Sequence, residues 1–98
     1  MSNYRSNGTA LITGASGGIG AVYADRLAKR GFDLILVARN EARLKALSAR
    51  LSKETKRSVT SLRADLSDKA DLAKVERMLR DGEAITMLVN NAGIGSIQ

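Results

Sequence analysis

Apolar side chains along the chain fall into two kinds of run that alternate. Short continuous runs occupy 9–13 (Thr-Ala-Leu-Ile-Thr) and 33–37 (Asp-Leu-Ile-Leu-Val). Such runs predict parallel strands covered on both faces, where polar alternation is lost. Longer stretches repeat apolar positions every three or four residues, which predicts amphipathic helices. In 19–30 the repeat is Ile19, Tyr23 and Leu27, broadened by Val22, Ala24 and Ala28. After Asn40 it is Leu44, Leu47 and Leu51, and after Ser67 or Asp68 it is Leu72, Val75 and Leu79.

The ends of these stretches carry helix punctuation. Lys29 and Arg30 suit the negative end of the first helix and Gly31 suits its C-terminal cap. Asn40 is a capping residue for the second, and Ser67 or Asp68 for the third, with Asp68 and Asp71 in its positive first turn. Gly82 closes the third helix. The stretch 58–64 is a weaker strand, with Val59 and Leu62 as its only large apolar groups, and is expected at an edge. A fourth strand is expected over 85–89, running into Asn90-Asn91-Ala92-Gly93.

The order β-α-β-α-β-α-β with short connections predicts an α/β fold on a parallel sheet. Right-handed crossovers then give the strand order 3-2-1-4, with the first two helices on one face and the third on the other. The order reverses between strands 1 and 4. Ligands bind such doubly wound sheets there, outside the carboxyl ends of the strands.

The segment 13–20, Thr-Gly-Ala-Ser-Gly-Gly-Ile-Gly, emerges at that crevice. Its glycines permit a tight strand-to-helix turn and let a ligand approach the backbone. The helix that follows opens with free N–H groups, a ready site for a pyrophosphate. The alternative is a glycine-rich turn with no ligand. The spacing is not G-x-G-x-x-G, because Ser16 occupies the second glycine position, and no Gly-Lys pair of a P-loop exists in the chain.

Composition narrows the chemistry. The 98 residues make one small domain with no cysteine, histidine, proline or tryptophan. A disulfide framework and a thiolate or imidazole metal site are thereby excluded. The polar start, residues 1–8, lacks the apolar core of a signal peptide and is expected to be a flexible leader. A soluble, cytoplasmic chain without membrane or nucleic-acid partners is expected. The net charge is +6, and seven basic residues against two acidic ones lie between Arg39 and Arg57. With three aromatic residues in the chain, no stacking platform accompanies that basic stripe, and a solvated helix face accounts for it.

Thr-Gly-x-x-x-Gly-x-Gly, through Gly14, Gly18 and Gly20, resembles the cofactor-loop motif of the short-chain dehydrogenase/reductase family. Three further segments resemble that family in register: Arg39 at the end of the second strand, Ala64-Asp65-Leu66 after the third, and Asn90-Asn91-Ala92-Gly93 after the fourth. The resemblance implies a Rossmann-type sheet, truncated after its fourth strand, that binds a nicotinamide dinucleotide. It implies contacts from Gly14, Ser16, Gly18, Ile19 and Gly20 in the loop. Asp65 and Leu66 are implied beside the adenine, and Asn91, Ala92 and Gly93 beside the adenosine ribose. Asp65 as a helix cap and Asn91 as a purely structural amide stay open as alternatives.

Cofactor choice has its own argument. An NAD site places a carboxylate on the ribose 2′-hydroxyl, roughly 20 residues past the glycines. Here that region reads Ala38-Arg39-Asn40, and a guanidinium suits a 2′-phosphate instead. NADP is therefore expected over NAD, although Glu41, a little further on, can still reach a hydroxyl. The family's catalytic serine and Tyr-x-x-x-Lys pair have no counterpart: Tyr4 is followed four residues later by Gly8 and Tyr23 by Leu27. No catalytic and no metal-binding residue is assigned. The expected role is the cofactor-binding part of an oxidoreductase acting on a carbonyl or alcohol substrate, inactive by itself and forming a homo-oligomer. The alternative is a stand-alone, non-catalytic nucleotide-binding module. Tyr23 is expected to face the sheet.

Overall fold

The computed structural model describes residues 7–15, 18–81 and 85–90. Four strands and three helices alternate: β1 (Thr9–Thr13), α1 (Gly18–Lys29), β2 (Asp33–Ala38), α2 (Glu41–Thr55), β3 (Val59–Arg63), α3 (Lys69–Asp81) and β4 (Ile85–Asn90). The strands form one sheet in the order β3-β2-β1-β4, all neighbours parallel. The expected fold class and strand order are both present. Boundaries shift by one residue where the backbone completes a ladder or a turn, as at Ala38, which opposes Arg63 in the β2–β3 register.

Side chains alternate across the sheet, so each strand feeds two cores. Ala10 and Ile12 of β1 join Leu34, Leu36 and Ala38 of β2 in a cluster with Ala24, Leu27 and Ala28 of α1 and Leu44, Leu47 and Leu51 of α2. On the opposite face Leu11 and Val37 meet Val75 of α3 and Ala64, with Ile35, Leu62, Leu66, Leu79 and Ile85 packed against them. The helices thus lie two on one face and one on the other, as right-handed crossovers require.

The α1 stripe differs from expectation. Tyr23, Val22 and Ile19 point to solvent, with Tyr23 46% exposed, and the buried residues are Gly20, Ala24, Leu27 and Ala28. The cause is close approach. A Cβ on Gly20 would overlap the Gly14 carbonyl oxygen and lie 3.1 Å from Ala15 Cα. A helix axis held that near the β1 turn leaves room for small side chains along its inner stripe and turns the large ones outward. Leu72 of α3 is likewise partly exposed, and Val75 is the buried member of its stripe.

The caps follow the local chemistry. Gly31 N–H donates to Ala28 O at 3.0 Å and Phe32 N–H to Leu27 O at 3.1 Å, the paired bonds of a Schellman motif, with Phe32 packed on the core. Asn40 Oδ1 accepts from Arg43 N–H at 3.0 Å. Of the two candidates for α3 the cap is Asp68, whose Oδ1 accepts from Ala70 and Asp71 N–H at 2.8 and 3.2 Å. Gly82 lies outside the described residues, as does most of the expected leader. Its last two residues are tied down: Asn7 N–H donates to Gly31 O, and Gly8 O accepts from Asp33 N–H, both at 3.0 Å.

Candidate dinucleotide site

The carboxyl ends of the strands gather those residues singled out in the sequence that the structure describes. At the end of β1 the chain turns through Gly14, at φ +65°, and enters α1 at Gly18, at φ +56°. Both angles belong to the left-handed region where a Cβ is strained. Ala15 is fully buried under this turn and its N–H donates to Val37 O at 3.2 Å, which ties the turn to β2. A Cβ on Gly18 would meet no described residue within 4 Å apart from its chain neighbours, so none of these covers that face of the start of α1. Ile19, beside it, is 64% exposed.

Gly14, Gly18 and Gly20 therefore serve three separate requirements. The first makes the turn, the second lies where no described residue covers that face of α1, and the third lets helix and strand touch. A phosphate group fits this arrangement, because the first-turn N–H groups of α1 have no intrahelical acceptors and the helix dipole favours an anion there.

Beyond the ends of β2 and β3, Ala64 N–H donates to Ala38 O at 2.9 Å and holds the two exits together. Arg39 and Asp65 follow directly. Arg39 is exposed, and neither it nor Arg63 has an ion-pair partner among the described residues. The Asp65 carboxylate is held below its ordinary pKa, first by the Ser67 hydroxyl and the Ser67 N–H, then by the charges of Arg39 and Arg63. It is therefore ionised at neutral pH. Arg63 is the site-proximal charge that sequence reasoning missed. It reads as an ordinary edge-strand residue until the β2–β3 register sets it opposite Ala38, one residue from Arg39.

Leu66 is partly buried against the α3-side core, so its side chain serves packing. At the end of β4, Asn90 Oδ1 lies 3.2 Å from Thr13 Oγ1, close to where the glycine turn begins. Ser16, Asn91, Ala92 and Gly93 lie outside the described residues. Glu41 points along its own helix to Lys45 Nζ, 3.5 Å away, an exposed pair. Two surface grooves among the described residues lie elsewhere, one along α3 lined by Leu62, Lys74, Arg77, Met78 and Asp81, the other between α1 and α2. Neither includes a residue of the strand-end group. Among the described residues no group of acidic, histidine or cysteine side chains can hold a metal, and no helix is long and apolar enough to cross a membrane.

A doubly wound parallel sheet with a glycine turn at its switch point defines a dinucleotide-binding class of fold. The family model for short chain dehydrogenase matches residues 8–98, and the chain belongs to that family. It is 44% identical over 85 residues to the very-long-chain 3-oxoacyl-CoA reductase of Kluyveromyces lactis, a match covering 86% of this chain and 25% of that protein. Among solved structures, it resembles the bulky-bulky ketone specific alcohol dehydrogenase from Comamonas testosteroni with TM-score 0.86 and 52% identity, covering 88% of this chain and 36% of that one. A short-chain dehydrogenase from Sphingobium yanoikuyae in complex with NADPH gives TM-score 0.82 and 57% identity, over 83% of this chain and 32% of the other. The chain thus spans about a quarter to a third of the length of these relatives.

Proposed function

We propose that these residues form the NADP(H)-binding part of an oxidoreductase that transfers hydride between the nicotinamide and a carbonyl or alcohol carbon. The observation that carries the reading is the convergence, at one sheet end, of the glycine turn, an exposed Arg39 with no ion pair among the described residues, and an ionised Asp65. The first turn of α1, with Gly18 and Ile19, would receive the pyrophosphate, joined by Ser16. Asp65 would accept from the adenine, with Asn91, Ala92 and Gly93 along the ribose. When bound, the cofactor supplies the hydride donor or acceptor. The residues described here bind and orient it.

Arg39 favours the 2′-phosphate form. Its guanidinium is permanently charged, and the one carboxylate nearby in sequence, Glu41, is turned to Lys45. The NADPH complex of the Sphingobium relative supports this choice. A charged hydrogen bond contributes about 1.5–3 kcal/mol, roughly tenfold to a hundredfold in affinity. Fluorescence titration with NADPH and NADH is the test. NADPH binds more tightly by that margin, and Arg39→Ala removes most of the difference while leaving NADH binding nearly unchanged. Equal affinity of the unmutated protein for both dinucleotides refutes the preference.

Tyr23 is not placed for acid catalysis in this reading. Tyr23 lies on the solvent side of α1 and Tyr4 outside the described residues. Proton transfer from a positioned acid typically contributes 10²–10⁴-fold. Isolated, these 98 residues are expected to show no saturable NADPH consumption with ketones or aldehydes. Folded alone, these residues are expected to self-associate through the β4 side, where Leu88 is half exposed, Met87 is partly so, and β4 pairs with β1 alone among the described residues. Sedimentation of a monodisperse monomer would refute that part.

A further inference from the structure

Asp65 is the proposed adenine contact, and its geometry is set by a residue that no motif singles out. Ser67 Oγ donates to Asp65 Oδ1 at 2.6 Å, and Ser67 N–H donates to the same oxygen at 2.9 Å. The backbone is pinned as well. Asp65 N–H donates to Asp71 Oδ2 at 2.9 Å, and Asp65 O accepts from Asp68 N–H at 2.9 Å. Asp68 in turn caps α3. Every one of these bonds leaves Asp65 Oδ2 uninvolved.

The two kinds of anchor do different jobs. The bonds from Asp71 and Asp68 locate the Asp65 backbone, and a change at position 67 leaves their groups intact. The carboxylate plane is a separate degree of freedom, because its terminal torsion is broad and roughly two-fold. Two donors on one oxygen, of which the hydroxyl is the shorter, stop that rotation. They leave one lone-pair-bearing oxygen with a defined direction. A carboxylate that binds only as a nearby charge gains nothing from this. One that accepts a directed N–H from a heterocyclic amine does.

We propose that Ser67 is a positioning residue for adenine recognition: its hydroxyl locks the Asp65 carboxylate so that Oδ2 faces the exocyclic amino group of the dinucleotide. The inference rests on the dinucleotide reading above and assigns to Ser67 the selectivity between adenine and a base with oxygen in place of that amine. The hypoxanthine analogue of NADPH is the probe. It keeps the 2′-phosphate, pyrophosphate and nicotinamide but carries a carbonyl where adenine carries the amino group.

The experiment measures dissociation constants of NADPH and of its hypoxanthine analogue for the parent protein, Ser67→Ala and Ser67→Thr, with thermal melting of each. The parent prefers NADPH. Ser67→Ala loses about threefold to tenfold in NADPH affinity, the worth of one hydrogen bond, while analogue binding changes by less than about twofold. Ser67→Thr, which keeps the hydroxyl, restores the preference. Equal weakening toward both ligands would mean that Ser67 serves only the fold, and overturns the inference, as does unchanged selectivity in Ser67→Ala or failure of threonine to restore it. A parent that binds neither ligand overturns the dinucleotide reading, and this inference with it. A parent that binds both equally leaves that reading standing and overturns the inference alone.

Discussion

At the amino ends of the strands, polar side chains bond to one another and to the turns. Asp33 Oδ1 accepts from Ser58 N–H at 3.0 Å and lies 3.4 Å from Arg57 Nε, while Arg57 Nη1 donates to Gly31 O at 3.1 Å. Asn7 adds its own N–H to Gly31 O and its side-chain amide to Arg30 O. At the carboxyl ends the same residue types are differently used. Arg39 and Arg63 stand exposed with no ion pair among the described residues, and Asp65 is held by Ser67. One end closes a network that fixes turns; the other keeps charges available. The two ends thus use arginine differently: Arg57 is tied into the turns, whereas Arg39 and Arg63 form no ion pair with the described residues.

The largest effect is expected where the two purposes meet. Gly20→Val drives a branched side chain into the Gly14 carbonyl and the Ala15 backbone, so α1 must lift off β1. Overpacking of this kind typically costs 1–3 kcal/mol and more when backbone is the obstacle. A loss of about 3 kcal/mol or greater in denaturant unfolding is expected, together with loss of NADPH binding. Retention of both would mean that the turn is looser than its geometry.

Next in size is Asp33→Ala, which removes the acceptor for Ser58 N–H and the counter-charge of the mostly buried Arg57. About 1–3 kcal/mol of stability is expected to be lost. Guanidinium or urea melts measure it, and a change under about 0.5 kcal/mol would remove the closed network from the comparison.

The smallest effect is the titration of Asp65. Its folded pKa lies below the unfolded value of 3.8. Its contribution is thus full above 3.8 and lost as pH falls through the lower folded value. Stability and NADPH affinity should show no Asp65-dependent change between about pH 8 and 5. Carboxyl NMR should place its midpoint below 3.8, and a midpoint above it would show that the Ser67 bonds do not hold in solution.

Much of this was legible in the residues. The continuous run at β2 and the weak run at β3 marked an interior and an edge strand because burial on both faces leaves no polar positions. Asn40 and Gly31 marked their helix ends for equally local reasons. The inner stripe of α1 was not legible by apolar spacing, because the approach of Gly20 to the turn reversed the rule that large groups face the core. The small residues Gly20, Ala24 and Ala28 at four-residue spacing were the available signal. Arg63 and Ser67 were hidden for another reason. Their roles depend on strand register and on a turn, and neither is a property of the residue itself.

The comparison between the two sheet ends is tested most directly by measuring unfolding free energy and NADPH affinity together for Asp33→Ala and Arg39→Ala. A crossed pattern is expected. Asp33→Ala loses about 1–3 kcal/mol of stability with affinity unchanged once folded, and Arg39→Ala loses roughly tenfold to a hundredfold in affinity with stability within about 0.5 kcal/mol. If Arg39→Ala instead destabilises the fold while NADPH affinity is unmoved, the carboxyl end is one more structural network and the assigned site is wrong.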